Sequence, residues 1–236
     1  MPSAEVLTKL AKQRGVHPCT LQRWLKGKFS PQKVVSCNVS FFDDLTRQNP
    51  AYWLGFIFAD GCIYEHGRGL YFNLSMAEKD RPHLERFKRD IKTNASISPK
   101  IGPFLSFQIQ LPASHITERL ENLGCVARKS KVLTFPVLPS VAISHFIRGY
   151  FDGDGSATIK RYVNRKPQKR MTFLGTRAFL DSVKDFIGDR GSISKAHGCF
   201  ALEYSGNLLC EKVSDYLYGG ATIYLKRKKD ILYAVV

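Results

Sequence analysis

The alternation of apolar and polar positions divides the chain into short helical and extended segments. Near the N-terminus, two groups of apolar residues recur at helical spacing: Leu7, Leu10 and Ala11, then Leu21, Trp24 and Leu25. This spacing predicts two helices within residues 4–29, joined by a turn at Gly15-Val16. A connector over 31–48 follows. The pattern therefore separates a small N-terminal unit, residues 1–30, from the longer remainder of the chain.

Beyond the connector, one order of predicted elements occurs twice. The first apolar helix, hairpin, amphipathic helix, hairpin and helix are predicted at residues 49–61, 62–75, 83–91, 96–111 and 116–123. The same elements are predicted again at 147–155, 157–174, 176–187, 192–204 and 208–217. The sequence therefore predicts an α-β-β-α-β-β-α unit in duplicate, over 49–139 and 140–236. Each unit should form a four-stranded antiparallel sheet with helices on one face, so the predicted fold class is α+β.

The apolar helix that opens each unit ends in a matching pattern of small and acidic residues. The matched positions are Gly55, Ala59, Asp60 and Gly61 in the first unit and Gly149, Gly153, Asp154 and Gly155 in the second. Asp60 and Asp154 lie 94 positions apart. Residues four apart share a helix face, so each helix presents a flat strip that another backbone can approach closely. Two such strips in contact would bring Asp60 and Asp154 together.

The ends of these two helices are a candidate metal site. Gly61 and Gly155 are predicted to stop the helices in the left-handed conformation. The preceding aspartates then lie beside carbonyl groups that lack partners within the helix. Two carboxylates with the carbonyl oxygens of Ala59 and Gly153 are hard oxygen ligands that suit Mg²⁺. Either motif alone is also compatible with an apolar helix that ends in a carboxylate, and the matched pair favours the metal site.

The charge of the chain adds a polyanionic partner to this picture. The 236 residues carry a formal net charge of +16, which indicates nucleic acid as the first candidate. The chain has neither an apolar run long enough to span a membrane nor the layout of a signal peptide, so we expect an intracellular protein that is not secreted. The six cysteines lack C-x-x-C spacing, which argues against a zinc site and a disulfide framework.

The two N-terminal helices have the residue spacing of a DNA-binding helix-turn-helix. Ala11 supplies the small residue under the second helix, Gly15 the turn, and Leu21 and Trp24 the core anchors. The exposed side of the second helix offers groups that reach bases or phosphates: Thr20, Gln22, Arg23 and Lys26. An ordinary helical hairpin is the alternative interpretation.

The polar faces of the two predicted sheets are candidate surfaces for a DNA duplex. β-Ribbons fit the major groove, and Gln, Asn, Arg and Lys side chains read its base edges. The outward positions are Tyr71, Asn73, Lys100, Gln108, Gln110, Lys160, Tyr162, Arg170, Thr172 and Lys195. Any one of them is compatible with a solvated surface residue, and the collective pattern predicts a saddle that holds DNA.

The paired motifs resemble those of the LAGLIDADG homing endonucleases, in the form with both motifs on one chain. Residues 51–61, AYWLGFIFADG, are similar to first motifs of that family. The acid before the final glycine is the metal ligand of the family and corresponds to Asp60 and Asp154. An earlier acid of the pattern is present as Asp152 but is Phe58 in the first copy. The resemblance covers about residues 34–236.

The resemblance implies a site-specific endonuclease that cuts both strands of a long asymmetric DNA target with two or more Mg²⁺ ions. It implies a monomer with internal pseudo-two-fold symmetry and one lysine per unit that reaches the active site, where a cation stabilises charge on phosphate. Aligning the basic clusters pairs Lys129 with Lys226, and Lys131 with Lys228 is the alternative. The alternative function is a non-cleaving DNA- or RNA-binding protein on the same scaffold, such as a transcription regulator or an intron maturase.

Overall fold

The computed structural model describes most of the chain in two compact units, Met1–Val35 and Ser36–Val236. The residues it describes are 4–13, 17–26, 35–66, 69–100, 102, 104–112, 115–126, 132–188 and 190–235. Within the smaller unit, α1 (Ala4–Gln13) and α2 (Pro18–Leu25) pack through a cluster of Leu7, Ala11 and Leu21. The predicted turn at Gly15-Val16 lies outside the described residues.

The larger unit contains the predicted order of elements twice. The first set is α3 (Gln48–Asp60), β1 (Gly61–His66), β2 (Gly69–Ala77), a 3-10 turn (Glu78–Asp80), α4 (Arg81–Asp90), β3 (Ile97–Lys100), β4 (Ser106–Pro112) and α5 (His115–Asn122). The second set is α6 (Ser140–Asp154), β5 (Ser156–Tyr162), β6 (Arg165–Gly175), α7 (Arg177–Ile187), β7 (Ser192–Ala196), β8 (Cys199–Ser205) and α8 (Asn207–Tyr218). A final helix, α9 (Lys226–Tyr233), was not predicted and begins within the basic cluster.

Each set of strands forms one four-stranded antiparallel sheet. The strand orders are β1-β2-β4-β3 and β5-β6-β8-β7, so the two sheets have the same topology. The register pairs Leu74 with Ile109 in the first sheet and Phe173 with Leu202 in the second, and all four side chains are fully buried. One face of each sheet therefore belongs to the core, and the α+β prediction with two antiparallel sheets is confirmed.

Gly61 and Gly155 do not adopt the left-handed conformation predicted for them. Their φ angles are −72° and −74°, with extended ψ, and the chain passes directly from helix into strand. A Cβ on Gly61 would lie 2.7 Å from the carbonyl oxygen of Ile57, and one on Gly155 would lie 2.5 Å from that of Phe151. The prediction of a positive φ is therefore wrong, and glycine is needed at both positions for steric room.

The described residues contain no helix with the length and apolarity that a bilayer-spanning segment needs. All six cysteines are present as free thiols in this structure.

Candidate active site

The apolar helices α3 and α6 touch through their backbones at the centre of the larger unit. Every residue of α3 from Pro50 to Phe58 is buried. A Cβ added to Gly55 would overlap the backbone oxygen of Phe146 in α6, and a Cβ added to Gly149 would overlap that of Tyr52 in α3. Only glycine at both positions permits this approach. The small-residue strips identified in the sequence therefore face each other.

The crossing brings the C-terminal ends of the two helices together. A Cβ on Gly153 would overlap the Cβ of Ala59 and would lie 3.4 Å from Oδ2 of Asp60. The Asp60 carboxylate thus lies beside Gly153, the residue directly before Asp154. Burial raises the pKa of the Tyr150 hydroxyl, and the charges of both Asp154 and Asp60 raise it further. Both carboxylates are exposed and act on the same buried group.

The carboxylate oxygens of Asp60 and Asp154 suit a cation whose remaining coordination positions are filled by a substrate and water. No cluster of three or more His, Cys, Asp and Glu side chains with metal-binding geometry occurs among the residues the structure describes. Mg²⁺ in phosphate-transferring sites is commonly held by one or two carboxylates together with substrate phosphates and water. Asp60 and Asp154 fit that pattern, since they supply two exposed carboxylates at adjoining helix ends.

Lys228 places a buried ammonium at the end of α6. Its side chain is 3% exposed, and Nζ donates to the carbonyl oxygens of Phe151 and Asp152 at 2.7 Å and of Gly153 at 3.0 Å. It also donates to the carbonyl of Gly155. Burial lowers the pKa of Lys228 to about 8, and the charge of Asp152 opposes that shift. The ammonium satisfies carbonyls that a helix end leaves without partners.

Of the two lysines considered in the second basic cluster, the alternative one lies at this site. Lys226 is on the outer side of α9, where its side chain is 82% exposed and pairs with Asp230 at 2.6 Å. Lys226 and Lys228 are two positions apart and therefore point to different sides of the helix. The first-unit candidates, Lys129 and Lys131, lie outside the described residues.

A cavity of about 520 Å³ opens beside Asp60 and contains cationic side chains. The charged residues that line it with Asp60 are Lys79, Asp80, Lys100, Asp152 and Arg227. Arg227 holds Asp80 through two hydrogen bonds of 2.8 Å, from Nε to Oδ1 and from NH2 to Oδ2. Neither residue of this pair was predicted to belong to the site. Arg227 lies within the recognised basic cluster, but its partner is 147 residues away in sequence and carried no local signal.

The fold of this chain has counterparts among proteins of known structure. No protein-family model and no curated protein matches the sequence. The fold is similar to that of the LAGLIDADG meganuclease I-AabMI bound to uncleaved DNA, with a TM-score of 0.56 and 15% identity over 78% of this chain and 87% of that chain. It is also similar to the I-SmaMI LAGLIDADG homing endonuclease bound to cleaved DNA, with a TM-score of 0.57 and 15% identity over 78% and 86% of the two chains. The chain has the LAGLIDADG homing-endonuclease fold.

Further support for the LAGLIDADG fold comes from I-SmaMI bound to an uncleaved DNA target in the presence of calcium ions. That structure matches with a TM-score of 0.52 and 15% identity, over 75% of this chain and 86% of that chain. At this level of identity the comparisons establish the fold. They confirm the resemblance identified from the paired motifs.

The open face of the first sheet in this LAGLIDADG fold carries five of the predicted DNA contacts. These residues are Tyr71, Asn73, Lys100, Gln108 and Gln110. The residues that alternate with them in β2, Phe72 and Leu74, are fully buried. Nε2 of Gln110 donates to the hydroxyl of Tyr64 at 3.0 Å, and the Tyr64 ring stacks on Tyr71 with centroids 5.9 Å apart. The open face therefore presents polar and aromatic groups in fixed positions.

The second sheet presents the predicted contacts of β5 and β6 on its own open face. Lys160, Arg170 and Thr172 lie on the side opposite the buried Met171 and Phe173. Tyr162 follows a register shift after Lys160 and is 44% exposed. NH1 of Arg170 forms an ion pair of 2.9 Å with Oε2 of Glu203 in β8. The two open faces thus differ in charge and chemistry although the sheets share one topology.

Lys195 does not share the open face with the other predicted contacts. Lys195 lies two positions after Ile193 in β7, so both side chains are on the same face of the sheet. Ile193 pairs with the buried Leu202, and this face is therefore the one that the helices cover. In the N-terminal unit, the four predicted contact residues of α2 and its end are all exposed: Thr20, Gln22, Arg23 and Lys26.

A buried histidine supports the helix pair and gives a prediction about pH. His83 Nε2 lies 2.7 Å from the Tyr52 hydroxyl, and burial lowers the pKa of His83 to about 4. An unfolded histidine titrates near pH 6.5, so the unfolded state binds more protons between these values and stability falls as the pH is lowered from about 6.5 to 4. Changing His83→Gln should reduce the loss of unfolding free energy between pH 6.5 and 4.5 by about 2 kcal/mol.

Urea denaturation of both proteins at the two pH values measures this difference. The half-buried His145 also has a pKa lowered to about 4 by burial, so His145→Gln serves as the comparison at a less buried position. Equal losses of stability in wild type and His83→Gln would contradict a neutral, buried His83.

Proposed function

We propose that the protein is a metal-dependent, site-specific endonuclease that cuts both strands of double-stranded DNA. The observation that carries this proposal is the pair of exposed carboxylates, Asp60 and Asp154, at helix ends forced together by Gly55 and Gly149. The fold is that of proteins whose solved structures hold DNA, both uncleaved and cleaved. The formal net charge of +16 suits the same partner.

We assign the metal site to Asp60 and Asp154, with two or more Mg²⁺ ions held jointly by protein and DNA phosphates. The backbone oxygens of Ala59 and Gly153, the residues that precede the two aspartates, are the further candidate ligands, and that of Gly153 also accepts from Nζ of Lys228 at 3.0 Å. Bound Mg²⁺ lowers the pKa of a water molecule and neutralises charge on the leaving oxygen. Asp60 and Asp154 would hold such ions at the adjoining ends of α3 and α6 and supply this chemistry to a phosphate bound there.

We assign the active-site lysine of the second unit to Lys228 and propose Lys131, its counterpart in the aligned basic clusters, for the first unit. The Lys228 ammonium binds the carbonyl oxygens at the end of α6, so it reduces the negative potential that this helix end would present to a phosphate. Lys226 faces solvent, and we propose that it contacts the DNA backbone electrostatically. Arg227, Lys79 and Lys100 add positive charge beside Asp60.

The open faces of the two sheets are proposed to track the duplex, and this gives a prediction about salt. Log affinity should fall linearly with log salt concentration, with a slope near −0.9 for each neutralised phosphate. Lys160→Ala should remove one phosphate contact and so make the slope less steep by about 0.9. Gln110→Ala should instead change which bases are tolerated at one part of the target, because a glutamine side chain carries base-edge donors and acceptors.

Filter binding over a salt series, with a panel of single-base target variants, separates the two effects. Lys212→Ala is a matched control, since Lys212 is exposed on α8, which packs on the covered side of the second sheet. A slope near zero, or uniform weakening on all targets after Gln110→Ala, would contradict this placement of the DNA.

The N-terminal helix pair is proposed to be a second DNA contact. Its buried cluster of Leu7, Ala11 and Leu21 holds the two helices together, and α2 exposes Gln22 and Arg23. A tether makes the second contact intramolecular, so a weak reader can still raise the overall affinity. We further propose that the protein acts as a monomer inside the cell, with units 49–139 and 140–236 each serving one half of an asymmetric target.

Cleavage of a randomised duplex library tests the proposed function. The library is incubated with protein in Mg²⁺ or in EDTA, and the new ends are sequenced. We expect cleavage of both strands at one long sequence, with short 3′ overhangs, in Mg²⁺ only. Selective binding without any cut strand in Mg²⁺ or Mn²⁺ would contradict an endonuclease and favour the regulator or maturase.

A further inference from the structure

The segment after α8 is bound by side chains from three other elements. We call residues 219–230 the C-terminal arm. Oε1 of Gln48 in α3 accepts from the backbone N–H of Thr222 at 2.6 Å and from its hydroxyl at 2.7 Å. Nε of Arg148 in α6 donates to the carbonyl of Ile223 at 2.9 Å. The contacts with Gln48 and the bond from Arg227 to Asp80 attach the arm to α3 and to the turn before α4, whereas Arg148 attaches it to α6.

One buried carboxylate lies at the centre of these attachments. Asp152 is 1% exposed, and its Oδ1 accepts from the Tyr218 hydroxyl at 2.7 Å. Its Oδ2 accepts from the Tyr52 hydroxyl at 2.9 Å and from the backbone N–H of Leu225 at 2.7 Å. Leu225 is the N-cap residue of α9. A single side chain in α6 therefore ties α3 and α8 to the N-cap residue of α9.

The residues that follow Leu225 are those that reach the active site. Arg227 lines the cavity beside Asp60, and Lys228 binds the carbonyl oxygens at the end of α6. Both belong to the first turn of α9, so the rotation of that turn about the helix axis decides which side chains face the site. The contact between Asp152 and the Leu225 N–H fixes the point from which this turn starts.

The first duplicated unit, 49–139, shows that helix packing alone does not require a carboxylate at the position of Asp152. The position that corresponds to Asp152 is Phe58, whose ring packs edge-on against Phe146 with centroids 5.1 Å apart. Burying a charge is costly, and an apolar residue of similar volume often stabilises a protein as well or better. The buried acid of the second unit therefore serves something other than helix packing, and its bond to the Leu225 N–H identifies the start of α9 as the element it holds.

We propose that Asp152 is a positioning residue that sets the start of α9 and thereby directs Arg227 and Lys228 to the ends of α3 and α6. The effect on cleavage rests on the proposed function, whereas the effect on the arm does not. The arm itself supplies a readout that is independent of activity, because trypsin cuts after each of the four residues 226–229 once they leave the fold.

Native-state trypsin digestion, mapped by mass spectrometry, tests the position of the arm. Asp152→Ala should increase the rate of cleavage after residues 226–229 at least tenfold. Asp152→Asn should stay within threefold of wild type, since the amide oxygen can accept from Leu225 and Tyr52 while the NH₂ group donates to the Tyr218 oxygen. Tyr218→Phe, which removes one of the three donors and leaves the ring, should give a two- to fivefold increase.

A matched control separates positioning from general loss of stability. Asp90 accepts a hydrogen bond of 2.7 Å from Trp53 Nε1, so Asp90→Ala removes a comparable carboxylate contact from α4. Its digestion after residues 226–229 should remain within twofold of wild type. Wild-type digestion of Asp152→Ala, or an equal increase in Asp90→Ala, would overturn the proposal; Tyr218→Phe provides the same comparison if Asp152→Ala does not fold.

Single-turnover cleavage of the target selected from the library tests the consequence for the reaction. Asp152→Ala should cut at least tenfold more slowly at saturating protein while its Kd for the DNA stays within threefold, and Asp152→Asn should recover the rate to within threefold. A wild-type rate in Asp152→Ala would overturn the catalytic part of the inference. Absence of cutting by the wild type would refute the proposed function, and the digestion would still decide the position of the arm.

Discussion

Replacing Asp60 or Asp154 by asparagine is expected to abolish double-strand cleavage while specific DNA binding changes by no more than about tenfold, roughly 1.4 kcal/mol. Asparagine keeps the size of the side chain but removes the negative charge that the proposed metal site needs to hold a divalent cation. Each variant should lose at least about a thousandfold in rate, or about 4 kcal/mol of transition-state stabilisation. Binding at low metal concentration should be unchanged or tighter, because the neutral amide no longer repels phosphate.

Single-turnover rates and affinities on the library-derived target measure this effect. Asp181→Asn is the control, since Asp181 is an exposed aspartate on α7 that pairs with Arg177 at 2.9 Å and should leave both quantities unchanged. An Asp60→Asn or Asp154→Asn protein that cuts both strands at the wild-type rate would remove these residues from the metal site.

Gly55→Ala and Gly149→Ala are each expected to destabilise the larger unit by at least about 3 kcal/mol, the upper range for overpacking in a core. In an exposed helix the same change stabilises by about 1 kcal/mol, so the sign of the effect reports the helix contact. The added methyl groups would meet the backbone of Phe146 and Tyr52, which cannot rotate away as a side chain can. Separation of α3 and α6 would also separate Asp60 from Asp154.

Chemical denaturation of the purified variants measures the change in unfolding free energy. Gly102→Ala is the matched control, because a Cβ there would meet only the carbonyl oxygen of Phe104 at 3.9 Å; its stability should change by less than about 0.5 kcal/mol. A Gly55→Ala protein as stable as the wild type would contradict backbone contact between the helices.

The sequence predicted the fold and the meeting of the two helix ends because the relevant signals are local and occur twice. Gly55 and Gly149 appear at matched positions in two apolar helices, and small residues four apart have few uses in a buried helix other than close packing. The prediction of Gln108 and Gln110 on the outward face of the first sheet likewise agrees with the structure, where the alternating residues Ile109 and Leu111 face the core. Duplication turned weak single patterns into a reliable one.

The choice between Lys226 and Lys228 could not be made from the sequence because it depends on a distant residue. Both lie in one run of four basic residues, and nothing local shows which side of a short helix turns inward. The structure settles their positions through Leu225, whose N–H bonds to Asp152, 73 residues earlier. The partnership of Arg227 with Asp80 has the same origin, since tertiary packing brings the two together.

Diffraction from crystals of the protein bound to its selected duplex, with Mn²⁺ in place of Mg²⁺, tests the central claim most directly. The account predicts anomalous peaks between the carboxylates of Asp60 and Asp154 and the scissile phosphates of the two strands, with the duplex lying along the open faces of both sheets. A DNA complex that cuts in Mn²⁺ but holds its ions on other residues, or that has no ion at the ends of α3 and α6, would contradict it.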